Sequence, residues 1–309
     1  MKFAANVNLT EYAKPFVKWA GGKGQLLDVF EKFYPLELHE GGVRRYIEPF
    51  VGGGAVLFDI LQKYVIDEAY IFDINEDLIN TYIVIKDDVD TLVEYLSNLE
   101  YTYMKLRKDE RKKMYYDVIE AYNSRTLENN QPDVERAAQF VFLNRTCFNG
   151  LYRVNRAGLF NVPAGDYRSQ TICDERNLYN VSSLLQRVHI FTGDYRESIK
   201  YVDKNSFVYF DPPYRPLNIT SNFTSYSKFD FSDEDQIQLA HFYEEMSNAG
   251  ALVMLSNSDP KNENPDDNFF DELYCKFYIH RIKARRAINS NGERRGLISE
   301  ILVTNYKVK

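Results

Sequence analysis

The residues whose types and spacing are best suited to chemistry are Asp211-Pro212-Pro213-Tyr214, directly after the apolar run Phe207–Phe210. An amino nitrogen on a heteroaromatic ring, such as N6 of adenine, has its lone pair delocalised into the ring. It becomes nucleophilic when two acceptors hold its hydrogens and favour a pyramidal nitrogen. The Asp211 carboxylate supplies one acceptor and the Pro212 carbonyl the other, and the fixed φ of Pro212 and Pro213 keeps that carbonyl aimed. Tyr214 offers a ring on which a base flipped out of its stack can rest. The reaction this set suits is in-line displacement at a sulfonium methyl, with orientation contributing up to about 7–11 kcal/mol and no covalent intermediate.

A methyl donor needs its own cradle. The run Tyr46–Glu48 leads into Glu48-Pro49-Phe50-Val51-Gly52-Gly53-Gly54, followed by the apolar segment Ala55–Leu61. Glycines where a strand turns into a helix let backbone approach a ligand closely. Asp73 ends the next strand candidate, at the distance from the loop where a Rossmann-like fold places an acid on ribose hydroxyls. Gly21-Gly22-Lys23 lacks the spacing of a nucleoside-triphosphate loop, and Gly24 follows where Ser or Thr would stand. Lys23 instead suits a carboxylate, and the Trp19 indole suits an apolar or cationic group. S-adenosylmethionine carries both a carboxylate and a sulfonium.

The elements that position these residues follow from β-branched and aromatic runs at Tyr46–Glu48, Ala69–Phe72, Val188–Phe191, Phe207–Phe210, Ala251–Leu255, Phe277–Lys283 and Glu300–Asn305. Helical spacing appears at Leu26, Leu27 and Phe30, at Leu78, Ile79, Tyr82 and Ile83, and at Ile237, Ala240, His241 and Met246 after the cap candidate Ser232. The alternation predicts an α/β fold with a doubly wound, Rossmann-like sheet. Residues 76–172 interrupt it with mostly helical segments, Met104–Tyr122 and Val134–Leu143, and the turn-rich stretch Asn144 to Tyr167. An interruption far longer than a crossover connection needs predicts an inserted domain at 76–172, leaving 1–75 with 173–309 as a discontinuous catalytic domain.

The chain of 309 residues, 44% hydrophobic, can bury a substantial core. No apolar run approaches the roughly 18 residues of a membrane span, and no signal peptide is apparent, so the expected location is the cytoplasm. Cys147, Cys173 and Cys275 are far apart and read as reduced, buried thiols; neither they nor the scattered His39, His189, His241 and His280 have metal-ligand spacing, so no metal is expected. A net charge of −7 argues against a polyanionic partner until its distribution is considered. Arg281, Lys283, Arg285, Arg286, Arg294 and Arg295 face only Glu293 within their run, and Arg145, Arg153, Arg156 and Arg168 form a second basic stretch. Acidic residues concentrate in Asp259 to Glu272, which reads as a surface loop.

These motifs resemble the Dam family of DNA adenine-N6 methyltransferases, including its restriction-associated GATC members. The similarity spans nearly the whole chain: Lys14 to Lys23, Glu48–Gly54, Asp73-Ile74-Asn75, Asn144 to Gly165, Asp211–Tyr214, Ser221 to Tyr226 and Gly296–Tyr306. With the glycine loop first and the catalytic motif last, the order looks like the α class, in which the insertion is the target-recognition domain. The resemblance implies that Trp19, Lys23, Asp73 and Asp211 contact S-adenosylmethionine, alongside Glu48, Phe50, Gly52 and Gly54 of the loop. It implies that Arg153 reads a guanine of double-stranded DNA, for which its planar fork is suited. Phe148 stands where the family inserts an aromatic wedge, and Asn149, Leu151 and Pro163 resemble its base-contacting set. Lys18, Asn155 and Asn161 are DNA contacts by the same analogy, although Asn149-Gly150 is also an excellent turn. Two other readings are a methyltransferase of RNA adenine or protein amide, and a non-catalytic nucleotide-binding DNA module. Protein-amide enzymes typically carry Asn in place of Asp211 and lack such an insertion, and a binding module has no need of Asp211–Tyr214. Oligomeric state is not legible.

Overall fold

The computed structural model describes residues 12–127, 131–167, 169–215, 231–285 and 297–308. All seven expected strands form, as β1 (Arg45–Glu48), β2 (Glu68–Asp73), β3 (Val188–Thr192), β4 (Ser206–Phe210), β5 (Leu252–Ser258), β6 (Tyr278–Arg285) and β7 (Leu297–Thr304). They make one sheet in the order β3-β2-β1-β4-β5-β7-β6, parallel throughout except for β7, which runs antiparallel to β5 and β6. The order reverses between β1 and β4, where open α/β sheets leave a crevice at the carboxyl ends of their strands.

Period-two alternation sends successive side chains to opposite faces. Tyr46, Ile71, Phe207, Tyr209, Met254 and Leu302 enter one core, and Ile47, Phe72, Val208, Phe210, Leu255 and Val303 the other. Helices α1 (Leu27–Phe30), α2 (Leu36–His39), α3 (Ala55–Lys63), α4 (Glu76–Asp87) and α8 (Glu175–Leu185) contribute apolar side chains to the first core. Helices α9 (Asp233–Asn248) and α10 (Phe269–Leu273) contribute to the second. Ser232 caps α9 as expected, in a reciprocal pair with Asp235.

The interruption is built from α5 (Val89–Lys105), α6 (Lys108–Asn123) and α7 (Val134–Thr146), whose apolar faces join the first core. The predicted segment Met104–Tyr122 is two helices, not one. Leu106 and Arg107 are extended; the Glu110 carboxylate reaches back to the Arg107 N–H at 2.9 Å, and Arg111 holds the carbonyls of Met104 and Leu106. Glu110 and Arg111 thus serve as caps at this break. Buried Arg136 on α7 ties these helices to α4: it pairs with Asp77, donates to the carbonyls of Tyr122 and Arg125, and lies over the Tyr122 ring.

Four further expectations change. Asp259 to Glu272 is not a simple surface loop, because Asp259 is buried against Arg281 and Phe270 enters the second core. Arg281 also pairs with Asp271, so its charge is neutralised within the protein. Arg145 is turned inward, donating to the Phe16 carbonyl. Of the cysteines only Cys147 is fully buried, and Cys275 is exposed. Arg168, Ser221 to Tyr226, Arg286, Arg294 and Arg295 lie outside the described residues.

Arg136→Met leaves the largely buried Asp77 without its cation. Breaking a buried pair in this way costs about 3–5 kcal/mol, so the urea midpoint should fall sharply; a loss below about 1 kcal/mol would show that water compensates Asp77.

Candidate active site

The same alternation that builds the first core carries polar residues to its carboxyl edge. Glu48 follows Tyr46 by two on β1, Asp211 follows Tyr209 by two after β4, Ser256 follows Met254 by two on β5, and Glu300 precedes Leu302 by two on β7. Into this edge comes Lys23, 3% exposed. Its ammonium lies 2.7 Å from both Asp211 oxygens, donates to the Gly21 carbonyl at 2.7 Å, and sits 4.7 Å from the centre of the Tyr214 ring. Lys23 thus meets a carboxylate as its sequence context suggested, but that carboxylate is the protein's own.

Asp211 Oδ1 accepts a second bond from Ser256 Oγ at 3.0 Å, and Tyr209 Oη is 2.8 Å from the same Ser256 oxygen. Tyr214 donates to Glu300 Oε2 at 2.8 Å. Gln236 Nε2 occupies the Pro213 carbonyl at 3.0 Å, whereas no described residue donates to the carbonyl of Pro212. Burial pushes the Asp211 carboxyl above its ordinary range, while Lys23 and the Ser256 hydroxyl pull it back. Burial likewise raises Glu300, with Lys23 opposing it.

The glycine loop closes over the ends of β1 and β2. Asp73 accepts from the Gly52 N–H at 3.0 Å and the Asn75 N–H at 2.9 Å, and Tyr82 donates to the Gly52 carbonyl at 3.0 Å. Gly52 and Gly54 have φ of +48° and +74°. A Cβ on Gly52 would stand 2.7 Å from the Trp19 ring, and one on Gly54 would strike the Tyr82 hydroxyl. Trp19 in turn stacks on Tyr152, centroids 5.7 Å apart. Trp19, Lys23, Glu48, Gly52, Gly54, Asp73, Asp211 and Tyr214 therefore gather at one edge. Phe50 turns the other way, into an aromatic cluster with Tyr195, Phe210 and Phe231.

The predicted reading stretch lies beside this edge. Buried Asn144 accepts from the Lys18 N–H and donates to the carbonyls of Lys18 and Gly150. Asn149 and Gly150 are both left-handed, φ +57° and +64°, so the turn reading of this pair holds. Phe148 is half exposed and its N–H meets the Pro163 carbonyl; Leu151 is partly covered and packs on the first core. Arg153 donates through Nε to Asn161 Oδ1 and through Nη2 to the Asn161 carbonyl. Asn155 accepts from the N–H groups of Ala157 and Leu159. Asn155 and Asn161 thus have partners within the protein, shaping the loop that carries Arg153. Ser256, Tyr209, Glu300 and Asn144 were not singled out from sequence. Glu300 had a signal: it is the one charge in the apolar run Leu297–Thr304. Among the described residues no cluster of His, Cys, Asp or Glu could hold a metal, and no helix is long and apolar enough to cross a membrane.

Glu48 offers a test of this buried electrostatics. Burial raises its carboxyl well above the ordinary range, the Tyr46 hydroxyl bonded to it opposes that, and Asp211 raises it further. A raised folded pKa contributes stability below the unfolded value of about 4.3, and that contribution is lost as pH climbs toward the folded value. The stability of Glu48→Gln relative to wild type should therefore grow as pH rises from 4.5; a flat difference in chemical denaturation would show that Glu48 ionises as freely folded as unfolded.

A family model described as D12 class N6 adenine-specific DNA methyltransferase matches residues 19–288. The chain is 53% identical over 294 residues to the type II methyltransferase M.MjaIII of Methanocaldococcus jannaschii, covering 95% of this chain and 99% of that protein. It is 38% identical to the type II methyltransferase M1.LlaDCHI of Lactococcus lactis subsp. cremoris, over 95% of each. To the DNA adenine methylase of Escherichia coli K12 it is 34% identical, over 94% of each. With the acid, prolines and tyrosine at the carboxyl end of β4 beside a glycine loop on β1, the chain belongs to the D12 class of N6 adenine-specific DNA methyltransferases.

Proposed function

We propose that this enzyme transfers the methyl group of S-adenosylmethionine to N6 of an adenine flipped out of double-stranded DNA, within GATC. Residues 1–75 with 173–309 act as the catalytic unit and 76–172 as the target-recognition unit. The observation that carries the reading is the placement of Asp211, paired with Lys23 at the end of β4 and next to the Gly52–Gly54 loop. The donor set fits the cofactor: buried Glu48 and largely covered Asp211 lie at the edge with one ammonium, whose charge favours their ionised forms as a sulfonium's would, and the Trp19 indole lies against the glycine loop. When bound, the sulfonium supplies an activated methyl group.

The protein's own part is to orient the amino group. A carboxylate has about four lone-pair sites. Lys23 reaches both Asp211 oxygens and Ser256 one, leaving room on Oδ2 for an N6 hydrogen. The Pro212 carbonyl takes the other hydrogen, since that of Pro213 is engaged by Gln236. The Tyr214 ring carries the base. Arg153 uses Nε and one Nη2 hydrogen on Asn161, so its outer edge, Nη1 with Nη2, is the one to meet guanine O6 and N7. Lys18, Phe148, Asn149, Leu151 and Pro163 complete the reading surface.

Unmodified plasmid incubated with enzyme and S-adenosylmethionine should become resistant to nucleases that cut only unmethylated GATC; continued cleavage with methyl incorporated elsewhere would refute the site. Asp211→Ala should abolish turnover while DNA binding survives, and single-turnover rates within tenfold of wild type would sink its role. Arg153→Ala should relax discrimination against an altered outer guanine by roughly 5- to 150-fold. Equal losses on both sequences would mean that Arg153 only positions the backbone.

A further inference from the structure

The prolines stiffen the backbone from Asp211 to Tyr214, but they do not set the rotation of the Asp211 carboxylate or the plane of the Tyr214 ring. Those torsions depend on what the side chains touch. Ser256 has a single hydroxyl proton. Once that proton goes to Asp211 Oδ1, Ser256 can only accept from Tyr209, so the order of donation is Tyr209 to Ser256 to Asp211. Tyr209 and Ser256 are fully buried, which leaves neither hydroxyl an alternative partner in solvent.

At the other end Tyr214 donates to Glu300, a carboxylate 8% exposed. Burying a carboxylate in an apolar strand costs stability, and the Tyr214 hydroxyl is its hydrogen-bond donor. β5 and β7 are antiparallel neighbours with Ser258 opposite Glu300. The two strands beyond β4 thus hold both ends of a tetrapeptide to which neither belongs.

We infer that Ser256, backed by Tyr209, and Glu300 are positioning residues for methyl transfer. Ser256 sets the Asp211 carboxylate so that its remaining lone pair meets the amino hydrogen; Glu300 sets the Tyr214 ring against which adenine rests. The inference rests on the reading of Asp211 as the N6 acceptor and Tyr214 as the stacking surface. None of the three residues touches the reacting atoms, so their effects must pass through the tetrapeptide.

The test is kinetic, on full-length protein with a duplex that wild type methylates, with circular dichroism and thermal melting to verify folding. Ser256→Ala removes a hydrogen bond to a charged group, so kcat should fall about 10- to 100-fold with both KM values within about threefold. The acid limb of kcat/KM should move to higher pH, because a donor favouring ionised Asp211 is gone while the surrounding Lys23, Glu48, Tyr209, Tyr214 and Glu300 remain. Tyr209→Phe should shift both in the same direction by less, and it carries this part of the test if Ser256→Ala does not fold. Glu300→Ala should lower kcat/KM for DNA about fivefold or more, whereas Glu300→Gln, whose amide oxygen can accept from Tyr214, should stay within threefold of wild type. Wild-type kcat and pH limb in folded Ser256→Ala, or equal losses in Glu300→Ala and Glu300→Gln, would overturn the inference. If Asp211→Ala retained activity the underlying reading would fail; if it were inert while Ser256→Ala behaved as wild type, the inference alone would fail.

Discussion

Among the described residues one ammonium, that of Lys23, sits at the carboxyl edge of the sheet with the acids Glu48, Asp211 and Glu300. It contacts Asp211 directly, and its charge also favours the ionised forms of Glu48 and Glu300. Removing ions from water costs several kcal/mol each, and even a well-made buried pair seldom returns more than that. The arrangement is therefore a poor way to stabilise a protein and a good way to prepare a site. Burial raises the Glu48 and Asp211 carboxyls while Lys23 favours their ionised forms, and the positive charge of a sulfonium would act in the same direction.

The same ammonium is held by the turn that begins at Trp19, and that turn is continuous with Lys18. Asn144, from α7, bonds both to Lys18 and to Gly150. Trp19 stacks on Tyr152, one residue before Arg153. The stretch 148–163 and the glycine loop are thus joined by packed contacts, with apolar side chains of both in one core.

Electrostatics of the surface is a matter of pairing more than of counting. The run that begins at Arg281 reads as basic, yet Arg281 is matched by Asp259 and Asp271, acids that in sequence seemed to belong to a solvated loop. Arg145 turns inward to a carbonyl. Lys18 and Arg156 are exposed. A net charge of −7 is compatible with a DNA substrate because acids such as Asp211, Asp77, Asp259 and Asp271 are paired with cations within the protein.

Much of this protein follows from local pattern. Runs such as Phe207–Phe210 and Leu252–Leu255 are strands because β-branched and aromatic residues fill a sheet buried on both faces, and Ser232 starts a helix because its hydroxyl satisfies an orphan N–H. The glycines at 52 and 54, Asp73 and the Asp211–Tyr214 run were legible since each is bound to one backbone conformation or one chemistry. The break at Leu106 and Arg107 was not, because it is decided by which carbonyls Arg111 reaches. Nor was the partner of Lys23: a lysine suits any carboxylate, and only the parallel pairing of β1 with β4 at the sheet's reversal brings Asp211, 188 residues away, to its ammonium. Ser256 was hidden for the same reason, and Glu300, though marked as the one charge in its run, had no legible partner. A side chain's type is written in the chain, but the neighbour that gives it a role comes from strands whose adjacency depends on long-range pairing.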